Sequence, residues 1–183
     1  MPLARPRSET AVAPAKFAHV VFRTRQKDVM VAWWTTVLRA KVQHENPILA
    51  FLTYDDERHR IAVVQLPNLT DRPEGSVGLE HVAYTYASLG GLLDTYERLR
   101  DQGIKPYWTI NHGPTTSFYY RDPDGNQVEI QIDNSETAEA PNEYFHSGAF
   151  ARNPIGVNFD PERLVARYRA GDPVEELVQQ GAT

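Results

Sequence analysis

The strongest constraint on the fold is an internal repeat, because the 183-residue chain runs twice through the order strand, helix, strand, strand, strand. The first copy occupies residues 16–66 and the second occupies residues 78–133, with a polar linker between them that contains proline and glycine. Both copies open with a His-Val pair, at His19 and at His81. A repeat of this kind predicts one α+β domain, residues 16–133, in which two βαβββ modules form half-barrels around a shared cavity.

Each copy contains one helix, predicted from apolar residues that recur at the spacing of one helix face. The first helix is expected over about 26–38. The second is expected over 88–102, with Ser88 as its N-cap and Gly103 as its C-cap. The apolar stripes that should face the core are Met30, Trp33, Trp34 and Val37 in the first helix, and Leu89, Leu92, Leu93, Tyr96 and Leu99 in the second.

The segments on either side of the repeat are predicted to differ in kind. Residues 1–15 are expected to be a disordered lead-in, since no apolar segment of the kind found in a signal peptide follows their basic residues. Residues 134–183, the tail, are expected to form a helical extension. One helix should begin at Asp160-Pro161 and stop at Gly171, and the tail should pack against the domain or against a partner subunit.

The composition excludes several classes of partner and chemistry. A formal net charge of -5, with no basic stripe, argues against nucleic-acid binding. No apolar run approaches the roughly 20 residues of a membrane span. The chain has no cysteine, which excludes disulfides, thiolate metal sites and cysteine nucleophiles, and which fits a reducing cytoplasm.

Three side chains that commonly bind metal ions interrupt strand-like runs of the sequence: His19, His81 and Glu129. Strands are predicted around them over 17–23, 78–86 and 127–133. A single such histidine is most often an ordinary inward-facing residue, but three at equivalent ends of a duplicated fold argue against coincidence. Two imidazoles and a carboxylate are the ligands of facial-triad Fe(II) sites, which leave coordination positions open for substrate and O₂. The set therefore predicts an enzyme.

The segment Ser117–Glu129, with the sequence SFYYRDPDGNQVE, carries the most specific resemblance to a known family. The chain resembles the vicinal oxygen chelate superfamily, which includes glyoxalase I, the fosfomycin and bleomycin resistance proteins and the extradiol dioxygenases. Within it the chain is most similar to the extradiol ring-cleaving catechol dioxygenases, in a single-domain form, over about residues 16–133. The resemblance implies that His19, His81 and Glu129, on the first, fifth and eighth strands, bind the metal.

A fourth position separates the branches of this superfamily. The glyoxalase I pattern adds a carboxylate ligand on the fourth strand. When the closing hairpins are aligned without gaps, Phe51–Gln65 over Ser117–Gln131, the residue that corresponds to Glu129 is Val63. Gln65 is then the one side chain of that strand with an oxygen to offer. An apolar fourth position leaves room for a catecholate and O₂, and so favours the dioxygenase branch.

The resemblance also implies three catalytic residues. His59 looks like the acid–base histidine that handles the catechol proton, a task suited to an imidazole; the alternative is a solvated turn residue. Tyr119 matches the tyrosine that hydrogen-bonds the substrate oxygen; the alternative is a packed strand aromatic. His112 resembles a further active-site histidine, although it stands seven residues before Tyr119, closer than the usual family spacing. The alternative for His112 is an ordinary loop histidine.

The activity implied by the resemblance is extradiol cleavage of a catechol-type aromatic diol, with both atoms of O₂ incorporated and with Fe(II), or alternatively Mn(II), as cofactor. Family habit also implies a homo-oligomer, most simply a dimer. Two alternatives stay open at this point. One is another metal-dependent member of the superfamily, an isomerase, lyase or thiol transferase, and the other is a non-catalytic protein that binds an aromatic drug.

Overall fold

The structure is a computed structural model that describes residues 13–73, 75–135, 137 and 140–183. Most of the predicted disordered lead-in, residues 1–12, lies outside these described residues. Within the described parts of the chain, no helix is both long and apolar enough to cross a membrane.

The first module folds into one helix and four strands, as predicted. Its elements are β1 (Val20–Thr24), α1 (Lys27–Leu38), β2 (Lys41–Glu45), β3 (Leu49–Thr53) and β4 (Ile61–Gln65). The strands form one sheet in the order β1-β4-β3-β2, in which β1 and β4 run parallel. The first strand begins later than expected, so His19 precedes β1 instead of lying within it.

The second module repeats this order. Its elements are β5 (His81–Thr85), α2 (Leu89–Asp101), β6 (Trp108–Asn111), β7 (Thr115–Arg121) and β8 (Gln127–Asp133). The sheet order is β5-β8-β7-β6, and the tail adds a fifth strand, β9 (Val157–Asn158), beside β6. Helix α2 begins at the predicted cap Ser88, whose Oγ accepts a hydrogen bond from the Gly91 N–H at 3.2 Å. It ends before Gly103, whose positive φ of 80° suits glycine. The predicted α+β fold of two βαβββ modules is confirmed.

Strand pairing determines which residues of the two modules correspond. When the two opening histidines are matched, the parallel pairs β1–β4 and β5–β8 make Ala62 the residue that corresponds to Glu129. The gap-free hairpin alignment, which placed Val63 there, is one residue out of register. The physical reason is hairpin length, because eight residues, 53–60, lie between the paired residues Leu52 and Ile61, whereas seven, 121–127, lie between the corresponding pair Tyr120 and Val128.

The tail contains more structure than its sequence indicates. Its elements are α3 (Ala140–His146), α4 (Gly148–Arg152), β9, α5 (Pro161–Arg169) and α6 (Val174–Leu177). The predicted helix is present as α5, and the Asp160 carboxylate caps it by accepting from the N–H of Glu162 at 2.9 Å. Helices α3 and α4 and the two-residue strand β9 were not predicted.

The core consists of two clusters, one for each module, that share helix α1. Val37 of α1 belongs to the cluster of the second module, whereas Val128 of β8 belongs to the cluster of the first. Both predicted helix stripes are buried except for Trp33, which is half-buried and packs against both clusters. The modules are therefore held together by interdigitated apolar side chains, and the tail completes the second cluster with Leu164, Val165, Leu177 and Val178.

Candidate active site

Two of the predicted ligands are neighbours on the second sheet. His81 opens β5 and Glu129 lies in the middle of β8, and alternation along the paired strands directs both side chains to the same face. The His81 Nε2 atom lies 3.0 Å from the Glu129 Oε2 atom. The Glu129 side chain is 6% exposed, whereas that of His81 is 34% exposed. An imidazole nitrogen and a buried carboxylate oxygen thus converge at a point that solvent can reach.

Tyr119 completes this face of the sheet. It pairs directly with Glu129 across β7 and β8, and its ring meets the His81 ring edge-on with the centroids 5.4 Å apart. Burial, followed by the negative charge of Glu129, raises the pKa of Tyr119 well above its ordinary value. The phenol therefore keeps its proton at neutral pH and can donate a hydrogen bond.

His112 lies in the turn after β6, beside Tyr119. Its Nε2 atom is 3.0 Å from the Tyr119 hydroxyl, and its Nδ1 atom is hydrogen-bonded with the main-chain carbonyl of Ile155 in the tail. Trp108 of β6 stacks on the Tyr119 ring, with centroids 4.8 Å apart and an angle of 29° between the planes. The structure thus brings four candidates together, and we call them the second-sheet cluster: His81, His112, Tyr119 and Glu129.

The other two candidates form a separate group just before strands β1 and β4 of the first sheet, and we call them the first-sheet pair. The rings of His19 and His59 lie with their centroids 4.5 Å apart, and Phe51 stacks on His59 at the same centroid distance. Burial lowers the pKa of His59, and the electrostatic effect of the neighbouring His19 ring lowers it further. His19 itself is exposed.

Arg60 explains why His19 lies outside β1. The Arg60 guanidinium donates to the carbonyl oxygens of Phe17 at 2.6 Å and Ala18 at 3.2 Å. These carbonyls are therefore bound by a side chain instead of by a neighbouring strand, and regular pairing starts at Val20.

The donor set fits a metal ion in part. His81 and Glu129 supply two converging donors of the kind that Fe(II) and Mn(II) accept. Among the residues that the structure describes, however, no group of three or more histidine, cysteine, aspartate or glutamate side chains is placed to hold a metal ion. The structure does not bring His19 into the second-sheet cluster, and the predicted triad stays a prediction.

The fourth position of the first sheet is apolar. Ala62 is buried in β4 at the place that corresponds to Glu129 in β8. Gln65 is the one residue of β4 whose side chain has an oxygen that could bind a metal ion. Its amide is used in main-chain hydrogen bonds instead: Oε1 accepts from the Lys27 N–H at 2.8 Å and Nε2 donates to the Arg25 carbonyl at 2.7 Å. The sequence-based expectation of an apolar fourth position therefore holds, although its residue is not the one expected.

Sequence reasoning missed the contribution of the tail to the site. The carbonyl of Ile155 contacts the ring of His112, and the Asn158 side chain accepts a hydrogen bond from Trp108 Nε1 at 2.8 Å. The available signal was the turn sequence that runs from Asn153 through proline and isoleucine to Gly156. Such a turn is visible in the sequence, but its position beside His112 is not.

The fold and family are established by comparison with known proteins. Residues 16–130 match the model of the Glyoxalase/Bleomycin resistance protein/Dioxygenase superfamily, and the chain belongs to this superfamily. The crystal structure of a glyoxylase/bleomycin resistance protein/dioxygenase domain from Frankia sp. EAN1pec aligns with a TM-score of 0.57 and 19% identity, over 71% of this chain and 99% of that one. This likeness shows the fold.

Two relatives from Rhodococcus globerulus indicate which branch of the superfamily the chain is similar to. Biphenyl-2,3-diol 1,2-dioxygenase 3 is 46% identical over 164 residues, which cover 88% of this chain and 86% of the relative. Biphenyl-2,3-diol 1,2-dioxygenase 2 is 46% identical over 166 residues, with 90% and 87% covered. Their names place the cleaved bond beside the diol instead of between its hydroxyls, which is extradiol cleavage. The resemblance to extradiol dioxygenases is confirmed.

Proposed function

We propose that this chain is an extradiol dioxygenase, an oxidoreductase that opens the ring of a catechol-type aromatic diol with O₂. The observation that carries the proposal is the 46% identity, over 88% and 90% of the chain, to two biphenyl-2,3-diol 1,2-dioxygenases. The second-sheet cluster supports it, since a buried carboxylate, two imidazoles and a phenol meet on one face.

The proposed cofactor is Fe(II), with Mn(II) as the alternative. His81 and Glu129 would hold it, because their donor atoms converge, and His19 is the proposed third ligand. When bound, the ion supplies the positive charge that lets a catechol hydroxyl ionise near neutral pH.

The proton-handling groups are proposed to be Tyr119, His112 and His59. Tyr119 lies against both His81 and Glu129, so its oxygen can accept a hydrogen bond from a hydroxyl of a substrate held beside that pair. His112 supports Tyr119 from the other side through the contact between Nε2 and the hydroxyl. His59 is proposed as the acid–base residue for the catechol proton, on the strength of the family resemblance and its place beside His19.

The surroundings of the second-sheet cluster fit an aromatic substrate. Trp108 stacks on Tyr119, and the ring of Tyr107 lies with its centroid 6.3 Å from that of Tyr119. A group of aromatic rings of this kind suits contact with a second ring attached to the diol. We therefore expect 2,3-dihydroxybiphenyl among the substrates.

We further propose that the protein resides in the cytoplasm and that it forms a homodimer. The absence of cysteine from the sequence fits a reducing compartment. Exposed apolar side chains lie close in sequence to both opening histidines, with Phe17 67%, Val21 50% and Leu79 59% exposed. Such side chains suit contact with a second subunit.

Anaerobic reconstitution with Fe(II), followed by O₂ uptake and visible absorbance with a panel of catechols that includes 2,3-dihydroxybiphenyl, tests the proposal. A yellow ring-opened product formed with matching O₂ consumption is the expected result. Stoichiometric metal without O₂ uptake on any catechol would instead favour an isomerase, lyase or thiol transferase. Failure to bind any metal would favour the drug-binding alternative.

A further inference from the structure

We infer that the tail turn Asn153–Gly156 is a positioning element that determines which ring nitrogen of His112 carries the proton. His112 Nδ1 contacts the carbonyl oxygen of Ile155, and Nε2 lies 3.0 Å from the hydroxyl of Tyr119. A carbonyl oxygen can only accept a hydrogen bond, so Nδ1 is the protonated nitrogen of the neutral ring. Nε2 is then left as an acceptor.

This tautomer determines the direction of the hydrogen bond between His112 and Tyr119. With the proton on Nδ1, the Tyr119 hydroxyl donates to Nε2. With the proton on Nε2, the ring would donate to the Tyr119 oxygen instead, and the phenol proton would be directed to the neighbouring carboxylate of Glu129. The turn therefore controls where one proton is held in the second-sheet cluster.

Asn153 holds the peptide unit that carries the Ile155 carbonyl. Its Oδ1 accepts from the Gly156 N–H at 2.9 Å and from the Ile155 N–H at 3.3 Å, while its Nδ2 donates to the Gly156 carbonyl at 2.7 Å. The Gly156 nitrogen and the Ile155 oxygen belong to the same planar peptide group. Fixing the nitrogen therefore fixes the direction in which the oxygen points.

Gly156 lets this turn lie directly against the main chain that carries His112. Its φ is +121°, and a Cβ there would lie 2.3 Å from the carbonyl oxygen of Asn111 and 2.9 Å from His112 Cα. Immediately after the turn, β9 pairs with β6, with Val157 opposite Asn111. The turn is thus fixed to the loop of His112 by both close packing and strand pairing.

The turn is an addition to the shared domain, because it lies beyond residues 16–130 that match the superfamily model. Its importance for turnover rests on the proposed function. The assignment of the His112 tautomer does not rest on the proposed function, and it can be measured in the metal-free protein.

Long-range ¹H–¹⁵N spectra of the metal-free protein, labelled at histidine and recorded near pH 8, test the inference. The signals of His112 are assigned by their loss in His112→Gln. We expect the Nδ1–H form in the natural chain, a shift towards the Nε2–H form in Asn153→Ala, and recovery of the Nδ1–H form in Asn153→Asp, which keeps the acceptor oxygen. An Nε2–H ring in the natural chain would by itself overturn the inference, whether or not the variants fold.

Arg169→Ala is the matched control. Arg169 also lies in the tail, C-terminal to the turn, and forms ion pairs with Asp94 and Glu97 of α2. We expect an unchanged His112 spectrum in this variant. A spectrum altered as much as in Asn153→Ala would reduce the effect to general loosening of the tail and contradict the inference.

A kinetic measurement separates this inference from the proposed function. With an accepted catechol, Asn153→Ala should lower kcat about tenfold and leave KM nearly unchanged. The reason is loss of the hydrogen bond from His112 to the Ile155 carbonyl, which positions His112 and, through it, Tyr119. If the natural chain cleaves no catechol, the proposed function fails and the tautomer assignment still stands on the spectra. Equal kcat in the two proteins would contradict a role for the turn in the reaction.

Discussion

The two modules share one backbone plan and differ in the side chains placed on it. In the first sheet Phe51 pairs with Ala62, and at the corresponding place in the second sheet Tyr119 pairs with Glu129. Each module keeps a histidine at its first strand, with His81 as the first residue of β5 and His19 immediately before β1. The repeat thus supplies the same backbone scaffold twice, whereas most of the polar residues of the candidate site lie in the second copy.

The modules also differ in what covers them. Helix α2 of the second module is tied to the tail through Tyr96 and Arg100, which both donate to the Glu162 carboxylate. Tail residues enter the core cluster of the second module and none enters that of the first, among the residues described. The second module, which holds four of the six candidate site residues, is therefore also the one that the tail stabilises.

Removing the histidine of the second module should have the largest effect. His81→Ala leaves the buried Glu129 carboxylate without its partner, and we expect loss of stoichiometric metal together with loss of measurable turnover. Metal content after dialysis and O₂ uptake check this. His146→Ala, which removes an exposed histidine of the tail, should leave both unchanged. Full metal retention in His81→Ala would show that the second module is not the metal-binding half.

A large loss of turnover without loss of metal is expected for His59→Ala in the first module. If this histidine performs acid–base chemistry, kcat should fall by about 10²- to 10⁴-fold. The metal content should stay at the natural level. Wild-type kcat in this variant would show that the first-sheet pair contributes no proton-handling residue.

Substituting Tyr119 of β7 by the phenylalanine found at the corresponding position of β3 should have an intermediate effect on kcat. Tyr119→Phe removes one hydroxyl beside His81 and Glu129, so kcat should fall about 10- to 100-fold, in line with a hydrogen bond to a charged group. The converse change, Phe51→Tyr, should alter kcat little. Equal effects of the two substitutions would mean that the two sheets contribute alike to the site.

The smallest effect concerns the tail. Hydrogen bonds from Tyr96 first, and from Arg100, lower the pKa of Glu162 below its ordinary value of 4.5. A carboxyl with a lowered pKa stabilises the folded state above its unfolded pKa, and this contribution is lost as the pH falls through the folded value. Because the Glu162 side chain is 55% exposed, Glu162→Gln should lower the free energy of unfolding at pH 7 by about 0.5 kcal/mol.

Urea unfolding at pH 7 and near pH 3 measures this difference, which should shrink at the lower pH. Glu175→Gln, at an exposed position of α6, is the control and should show no such pH dependence. A Glu162→Gln difference that persisted undiminished in acid would attribute the effect to packing rather than to charge.

The fold was predictable because its signals are local. The apolar stripe of α2, with Ser88 and Gly103 at its ends, can be read from the sequence without knowing any distant contact. The candidate site was predictable as a set of residue types, and the second-sheet cluster brings four of its six members together. The start of β1 was missed because it depends on a guanidinium from another loop, that of Arg60.

The tail was the least predictable region for the same reason. Strand β9 has two residues, too few to show any alternation, and it exists through its pairing with Ile110 and Asn111. The contact of Ile155 with His112 is a main-chain contact, which no side-chain pattern in the sequence can signal.

Strand β9 has a consequence for the behaviour of the protein at high concentration. The outer strand of the first sheet, β2, is exposed at every position and carries Lys41 and Glu45, charges that discourage another chain from adding to it. Strand β6 has no charged side chain and relies on β9 to cover its outer peptide groups. Removal of the tail would leave that edge free to recruit strands from other molecules, so the tail also protects the protein from aggregation.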